Sequence, residues 1–303
     1  MTIPPQDKIF EPDGQEAGNP ESARALWRRE DTRMRLEQEL ALAERWEREQ
    51  KDLWFWEKLG RLPFLLLDKL TPRVIRNKLG QAIDELGGYV QSGGRYLLSQ
   101  RAVLAALDQE ARERGCGGEA PISTVAQAAD LPLVVMDQAA DRLAANGRKV
   151  AAVQGATTGI GGLFTLAIDI PALLGLSLKV LQETALCYGF DPNDPRERVF
   201  IVKCLQFGSS DIVGKRALLE ELAVFDRGAN DRQLVSQLQG WREVVATYRD
   251  NFGWKKLFQL VPVAGMLFGA LLNKGTVGDT AEAGKMLYRK RRILLRLQEE
   301  REG

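Results

Sequence analysis

The stretch VQGATTGIGGLF, Val153 to Phe164, carries glycines at 155, 159, 161 and 162. Its G-x-x-x-G-I-G spacing is close to the loop with which short-chain dehydrogenases hold a nicotinamide cofactor. That chemistry needs a buried strand before the loop and a helix opening after it, so that phosphate rests on the helix N-terminus. The preceding residues, DRLAANGRKVAAV, leave room for only a few strand residues, and no strand–helix alternation follows. A dehydrogenase of this type also needs a Tyr with Lys four residues later. The residues four beyond Tyr89, Tyr96, Tyr188, Tyr248 and Tyr288 are Gly93, Gln100, Pro192, Phe252 and Arg292. A second glycine pair, in GSSDIVGKRA, places five residues between Gly208 and Gly214 where a phosphate-binding P-loop has four. Arg216 stands there where a hydroxyl would bind magnesium. No cofactor is expected.

The chain has no histidine, which removes Ser–His and Cys–His catalysis, His-ligated metals and the commonest general base. The three cysteines, Cys116, Cys187 and Cys204, are too far apart for a zinc spacing, so no metal site is expected. A catalytic site would have to use carboxylate and lysine, such as Asp169 with Glu183 and Lys179. Nothing in that spacing singles out a reaction, and a non-enzymatic protein is the expectation.

Asp169 is instead notable for its isolation. It is the only formal charge from Val150 to Leu178, and the 19 residues Val150 to Ile168 are uncharged. As a helix they would span about 28 Å, near a hydrocarbon thickness. A second uncharged run of 17 residues, Leu257 to Asn273, is interrupted by Pro262. Three arrangements fit these runs: buried helices of a bundle, shallow membrane insertion, or spanning helices. A carboxylate in such surroundings must pair, neutralise or reach water. Pro171 suggests a helix break with Asp169 capping the helix that follows; a contact to a lipid headgroup is the sharper alternative. Asn273 reads as a cap or an inter-helix hydrogen bond.

The elements around these residues read as helices throughout, giving an all-α, multi-helix bundle with glycine-rich apolar hairpins. Residues 1–20 read as a disordered tail, 21–50 as a charged helical arm and 51–303 as the helical domain. In the arm, Leu36, Leu40, Ala43 and Trp46 form one narrow apolar stripe. Ala151, Gly155 and Gly159, four apart, give one helix face almost bare of side chains, which lets helices approach closely.

The net charge of +1 gives no reason to expect nucleic-acid binding. Basic residues are nevertheless concentrated in two places. Residues 51–80 carry 7 basic and 3 acidic groups around Trp54, Phe55 and Trp56, and residues 284–303 carry 7 and 3. Lys285, Arg289, Lys290, Arg291, Arg292 and Arg296, beside Met286, Ile293, Leu294 and Leu297, describe a basic amphipathic helix suited to anionic headgroups.

These residues also carry a resemblance. The run from Leu143 to Lys203 resembles the EcsC family of bacterial proteins in a G-x-x-x-G-x-G-G block, here Gly155, Gly159, Gly161 and Gly162. Asp169 and Pro171 follow, then Glu183, then Tyr188, Gly189, Asp191 and Pro192, and the pair Glu197 and Arg198. The later PVAGMLFGALLN is similar to the family's P-x-x-G-x-x-x-G-x-x-x-N, placing Pro262, Gly265, Gly269 and Asn273. The likeness covers roughly residues 51–297 and leaves the arm outside. It implies a helical fold and supplies no mechanism. The family is named for a protein encoded beside an ABC transporter. More remotely, the glycine-rich helices resemble the senescence domain of lipid-droplet proteins, which is linked to lipid binding.

The expected function is binding of lipid or of an anionic membrane surface by a cytoplasmic, peripherally associated protein. Helices 150–178 and 257–273 would form an apolar groove or insert shallowly. The alternative is an adaptor for a membrane transporter or another complex, without lipid cargo.

Overall fold

A computed structural model describes residues 30–51, 88–89, 98–159, 163–210, 212–225 and 262–302. The expected tail 1–20, the cluster Trp54, Phe55 and Trp56, and Gly161 and Gly162 lie outside the described residues. The described residues form eight α-helices and no strand: α1 Arg33–Glu49, α2 Gln100–Glu113, α3 Val125–Ala129, α4 Leu133–Gly159, α5 Leu163–Cys187, α6 Pro195–Ser209, α7 Ile212–Phe225 and α8 Pro262–Glu302.

Local chemistry sets the helix ends. Thr124 closes a capping box on α3, its hydroxyl accepting from Gln127 N at 3.2 Å while the Gln127 side chain accepts from Thr124 N. Asp194 caps α6, with Pro195 in the first helical position. Gly189 ends α5 with φ of +72°. Phe190 N donates to Ala185 O and Gly189 N to Leu186 O, both at 2.9 Å, which is a Schellman closure. A Cβ at Gly189 would also lie 2.4 Å from Ala129 Cα, so that position needs glycine for its backbone and for its neighbour.

Three long helices position everything else. α4 and α8 run antiparallel: Asp137 meets Arg289, Asp141 meets Lys285 and Arg148 lies over Gly278. α4 and α5 are antiparallel too, with Tyr188 bonded to Asp137, Gly147 against Val180 and Thr158 bonded to Asp169. The contacts are close because side chains are missing: a Cβ on Gly147 would stand 2.5 Å from Val180, and one on Gly284 of α8 would stand 2.5 Å from Leu181 of α5. Ala151 and Gly155 of the expected small-residue face are buried. Tyr188, Tyr288, Phe200, Phe207 and Met136 fill the core, where Phe200 and Tyr288 ring centroids are 4.8 Å apart.

The C-terminal half of α8 corrects one expectation. Lys285, Arg289, Arg292 and Arg296 recur at spacings of four, three and four, so they share one face. That face is turned inward. Lys285 bonds Asp141 at 2.7 Å, Arg289 bonds Asp137 and Glu39, and Lys290 bonds Glu47 at 2.7 Å. Arg291 forks onto Glu197 at 2.9 Å through both terminal nitrogens, between the rings of Phe190 and Phe200. Arg292 donates to Tyr188 O and Gly189 O in the turn that follows α5. The basic helix is therefore engaged inside the protein and presents no open cationic stripe to a membrane. Its apolar residues divide: Ile293 and Leu297 are buried and Leu294 is exposed.

Arg296 is the innermost of these cations, 2% exposed. It pairs with Asp31 and donates to Ala129 O and Leu131 O where α3 ends. Asp31 in turn accepts from Leu133 N and caps α4. α1 thus lies antiparallel on α8, with Asp31 at Arg296, Glu39 at Arg289 and Trp46 donating to Glu282 at 2.8 Å. Its stripe of Leu36 and Ala43 is buried, with Leu40 and Trp46 packed against the core. Burial raises the Asp31 carboxyl above its ordinary value even beside Arg296, and burial lowers Arg296. In both groups burial outweighs the attraction between them, and the pair's bonds fix the register of the α3–α4 corner on α8. Arg296→Met alone should cost about 3–5 kcal/mol in urea unfolding, because it strands Asp31 and two carbonyls. Adding Asp31→Asn, which keeps the cap on Leu133, should recover part of that loss. Additive losses would contradict a coupled pair.

Candidate functional site

The opposite end of the three-helix core is built differently. There α4 finishes, α5 begins and α8 begins, and the sequence from Val150 to Ile168 and from Leu257 to Asn273 contains no charge. Asp169 stands at the base of this end on α5, 1% exposed. Its Oδ1 accepts from Gln154 Nε2 at 3.0 Å and from Asn273 Nδ2 at 2.9 Å, and Thr158 Oγ1 lies 3.0 Å away. Two of these donors come from α4 and one from α8. A single carboxylate oxygen therefore ties three helices at one level, in surroundings where leaving it unbonded would be costly.

The helix break expected at Pro171 is absent. α5 runs unbroken from Leu163 to Cys187 with Pro171 inside it. Asp169 is consequently no N-cap; its role is to bond across helices. Asn273 takes the inter-helix alternative rather than the cap. Gly155 and Gly159 lie within the last turns of α4, so VQGATTG is helix and not a strand-to-helix turn. Gly208 likewise ends a helix, α6, instead of following a strand.

Pro262, Gly265 and Gly269 lie in the first turns of α8, on the same end. Glu183 does not join them. It pairs with Lys179 one turn away on α5, and burial raises its carboxyl while Lys179 opposes that. Lys179 is ten residues from Asp169 along one helix, about 15 Å, so the three groups form no joint site. Cys187 and Cys204 are fully buried, and burial pushes both thiols far above their ordinary range, which makes them poor nucleophiles. Sequence reasoning missed Gln154 and Thr158 as partners of Asp169. Their spacing of four placed them on one helix face, but only the fold says that the face meets Asp169.

Among the described residues, three aliphatic side chains of the uncharged runs are exposed. Val150 is 55% exposed, Val153 66% and Leu271 66%. Lys149 on α4 and Lys274 on α8 are exposed where charge resumes. Beyond them α4 continues for the ten residues Val150 to Gly159, about 15 Å, which is half a hydrocarbon core of about 30 Å. Among the described residues no helix is long and apolar enough to cross a membrane, which removes the spanning arrangement for them.

Replacing Asp169 should report on the three-helix tie. Asp169→Leu leaves two amides and a hydroxyl without their acceptor and should cost about 3 kcal/mol or more, against about 1–3 kcal/mol for Asp169→Asn. Urea unfolding measures both. Wild-type stability in Asp169→Leu would show that the cluster does not hold the helices together.

Comparison with known proteins places these features. The chain matches the EcsC protein family over residues 37–293, a span that begins inside α1 and takes in both glycine blocks, Asp169 and Asn273. It is similar to protein YdbA of Bacillus subtilis (strain 168), described as uncharacterized, with 53% identity over 264 residues that cover 87% of this chain and 95% of that protein. It is also similar to protein EcsC of the same organism, with 31% identity over 141 residues, 46% of this chain and 57% of that one. No solved structure matches it. On the extent of the family match, this chain is a member of the EcsC family.

Proposed function

We propose that the protein is a non-enzymatic lipid-binding protein that associates peripherally with membranes through the uncharged end of its three-helix core. The observation that carries this reading is the exposure of aliphatic side chains that belong to the uncharged runs Val150–Ile168 and Leu257–Asn273. Val150, Val153 and Leu271 face solvent, while the one carboxylate of the segment is turned inward onto Gln154, Thr158 and Asn273. An apolar surface of this kind, rimmed by charge, marks an interaction face, and Lys149 and Lys274 at its rim suit headgroup depth.

Apolar burial then drives binding more than charge does, since the cations of α8 from Lys285 to Arg296 are bonded within the chain. Vesicle flotation tests this. Wild type should float with neutral phosphatidylcholine vesicles and lose little in 0.5 M salt, a value well beyond the screening range of surface charge. Val153→Asp should weaken flotation about tenfold, because it forfeits roughly 1.5 kcal/mol of apolar transfer and adds a charge. Leu294→Asp, at the ionic end, should float as wild type does. Equal loss in both variants, or none in Val153→Asp, would contradict the reading.

A further inference from the structure

Between α4 and α8, where the uncharged end meets the charged body, runs an open groove of about 560 Å³. Ala140, Ala144 and Arg148 line it from α4, and Leu271, Lys274 and Gly275 from α8. Its volume lies in the range of small-ligand sites, about 300–1,000 Å³. The floor is made of small residues, and a Cβ at Gly275 would meet nothing within 4 Å. Open space therefore reaches the backbone of α8 there.

The charges along the groove are not equivalent. Asp141 is held by Lys285 at 2.7 Å and Glu282 by Trp46 at 2.8 Å, and Asp279 is engaged as well. Arg148 is in a different condition. Its Cδ lies 3.5 Å from the Cβ position of Gly278, so the side chain lies over α8 inside the groove. Its Nε is buried and has no hydrogen-bond acceptor. A buried guanidinium N–H without an acceptor is costly, and a bound anion would supply one. Lys274 is exposed on the facing helix. Leu271, one turn from Lys274 toward the uncharged end, continues the groove as an apolar wall.

We propose that this groove is a phospholipid headgroup site, in which Arg148 and Lys274 hold the phosphate and an acyl chain leaves along Leu271 toward the uncharged end. The glycine and alanine floor lets the glycerophosphate lie against backbone. The proposal rests on the membrane reading above and assigns it a ligand: the phosphodiester common to glycerophospholipids.

The test uses the full chain and a short-chain probe, dihexanoyl phosphatidylglycerol below its micelle concentration, so that no bilayer is present. Isothermal titration should give one saturable site. Arg148→Gln and Gly275→Leu should each weaken it at least tenfold, and their thermal melts show whether the fold is retained. Lys274→Gln, on an exposed position, should weaken it several-fold. Absence of binding, or binding unchanged by Arg148→Gln and Gly275→Leu, overturns the site. Inorganic phosphate binding as tightly as the lipid overturns the lipid assignment in favour of a soluble phosphate site. Flotation of the same samples separates the two readings. Loss of probe binding with flotation intact sinks the groove alone, whereas probe binding without flotation supports the groove and sinks the insertion reading.

Discussion

The arrangement of the described helices follows from one requirement: the cations on the inner face of α8 must meet acceptors once that face is packed. Lys285, Arg289 and Arg296 are taken up by Asp141, Asp137 with Glu39, and Asp31, and Arg292 by the carbonyls of the turn that follows α5. Those acceptors sit on α1, on the first half of α4 and at the end of α5. Satisfying the cations therefore fixes the antiparallel register of α4 on α8, lays α1 across them and joins the α3–α4 corner to the C-terminal helix. At the Asp31–Arg296 pair burial raises the carboxyl and lowers the guanidinium, whereas Arg289, which burial alone would lower, is raised overall by Asp137 and Glu39.

A consequence is polarity along the core. Among the described residues, the ion pairs of α8 are drawn to one end, where α4 starts and α5 stops. At the other end, among the described residues, the Asp169 carboxylate is bonded by neutral amides and a hydroxyl, and Val150, Val153 and Leu271 are exposed. α8, 41 residues and about 60 Å long, runs with α4 and α5 from one regime into the other. Under the proposed function, this gradient of charge along the three long helices is what would orient the molecule at a lipid interface. The groove beside Arg148 lies at the boundary between the two regimes, at the level where headgroups would lie.

Much of this was legible in the sequence. The absence of strand patterning, the uncharged runs and the isolation of Asp169 gave the helical class and the place to look. The pairing of Asp169 with Asn273 was half legible, since both stood as polar residues at the edges of apolar runs. The direction of α8 was not. A helix reading KMLYRKRRILLRL has basic and apolar sides whether the basic side meets lipid headgroups or carboxylates. Asp31, Glu39, Asp137 and Asp141 lie more than 140 residues away in sequence from the cations they meet, and no local pattern connects them. Pro171 misled for a related reason. Its local preference for a helix start does not decide the element, because α5 continues through it from Leu163 to Cys187.

The central claim is that the uncharged end, and not the basic C-terminal helix, enters the lipid. Environment-sensitive fluorophores attached through cysteine at position 153 or 294 test it directly, in a background where Cys116, the only cysteine with exposure, is serine. On phosphatidylcholine vesicles containing lipid-borne quenchers, the label at 153 should shift to the blue and be quenched, and the label at 294 should stay as it is in solution. Quenching at 294 with none at 153 would contradict the account.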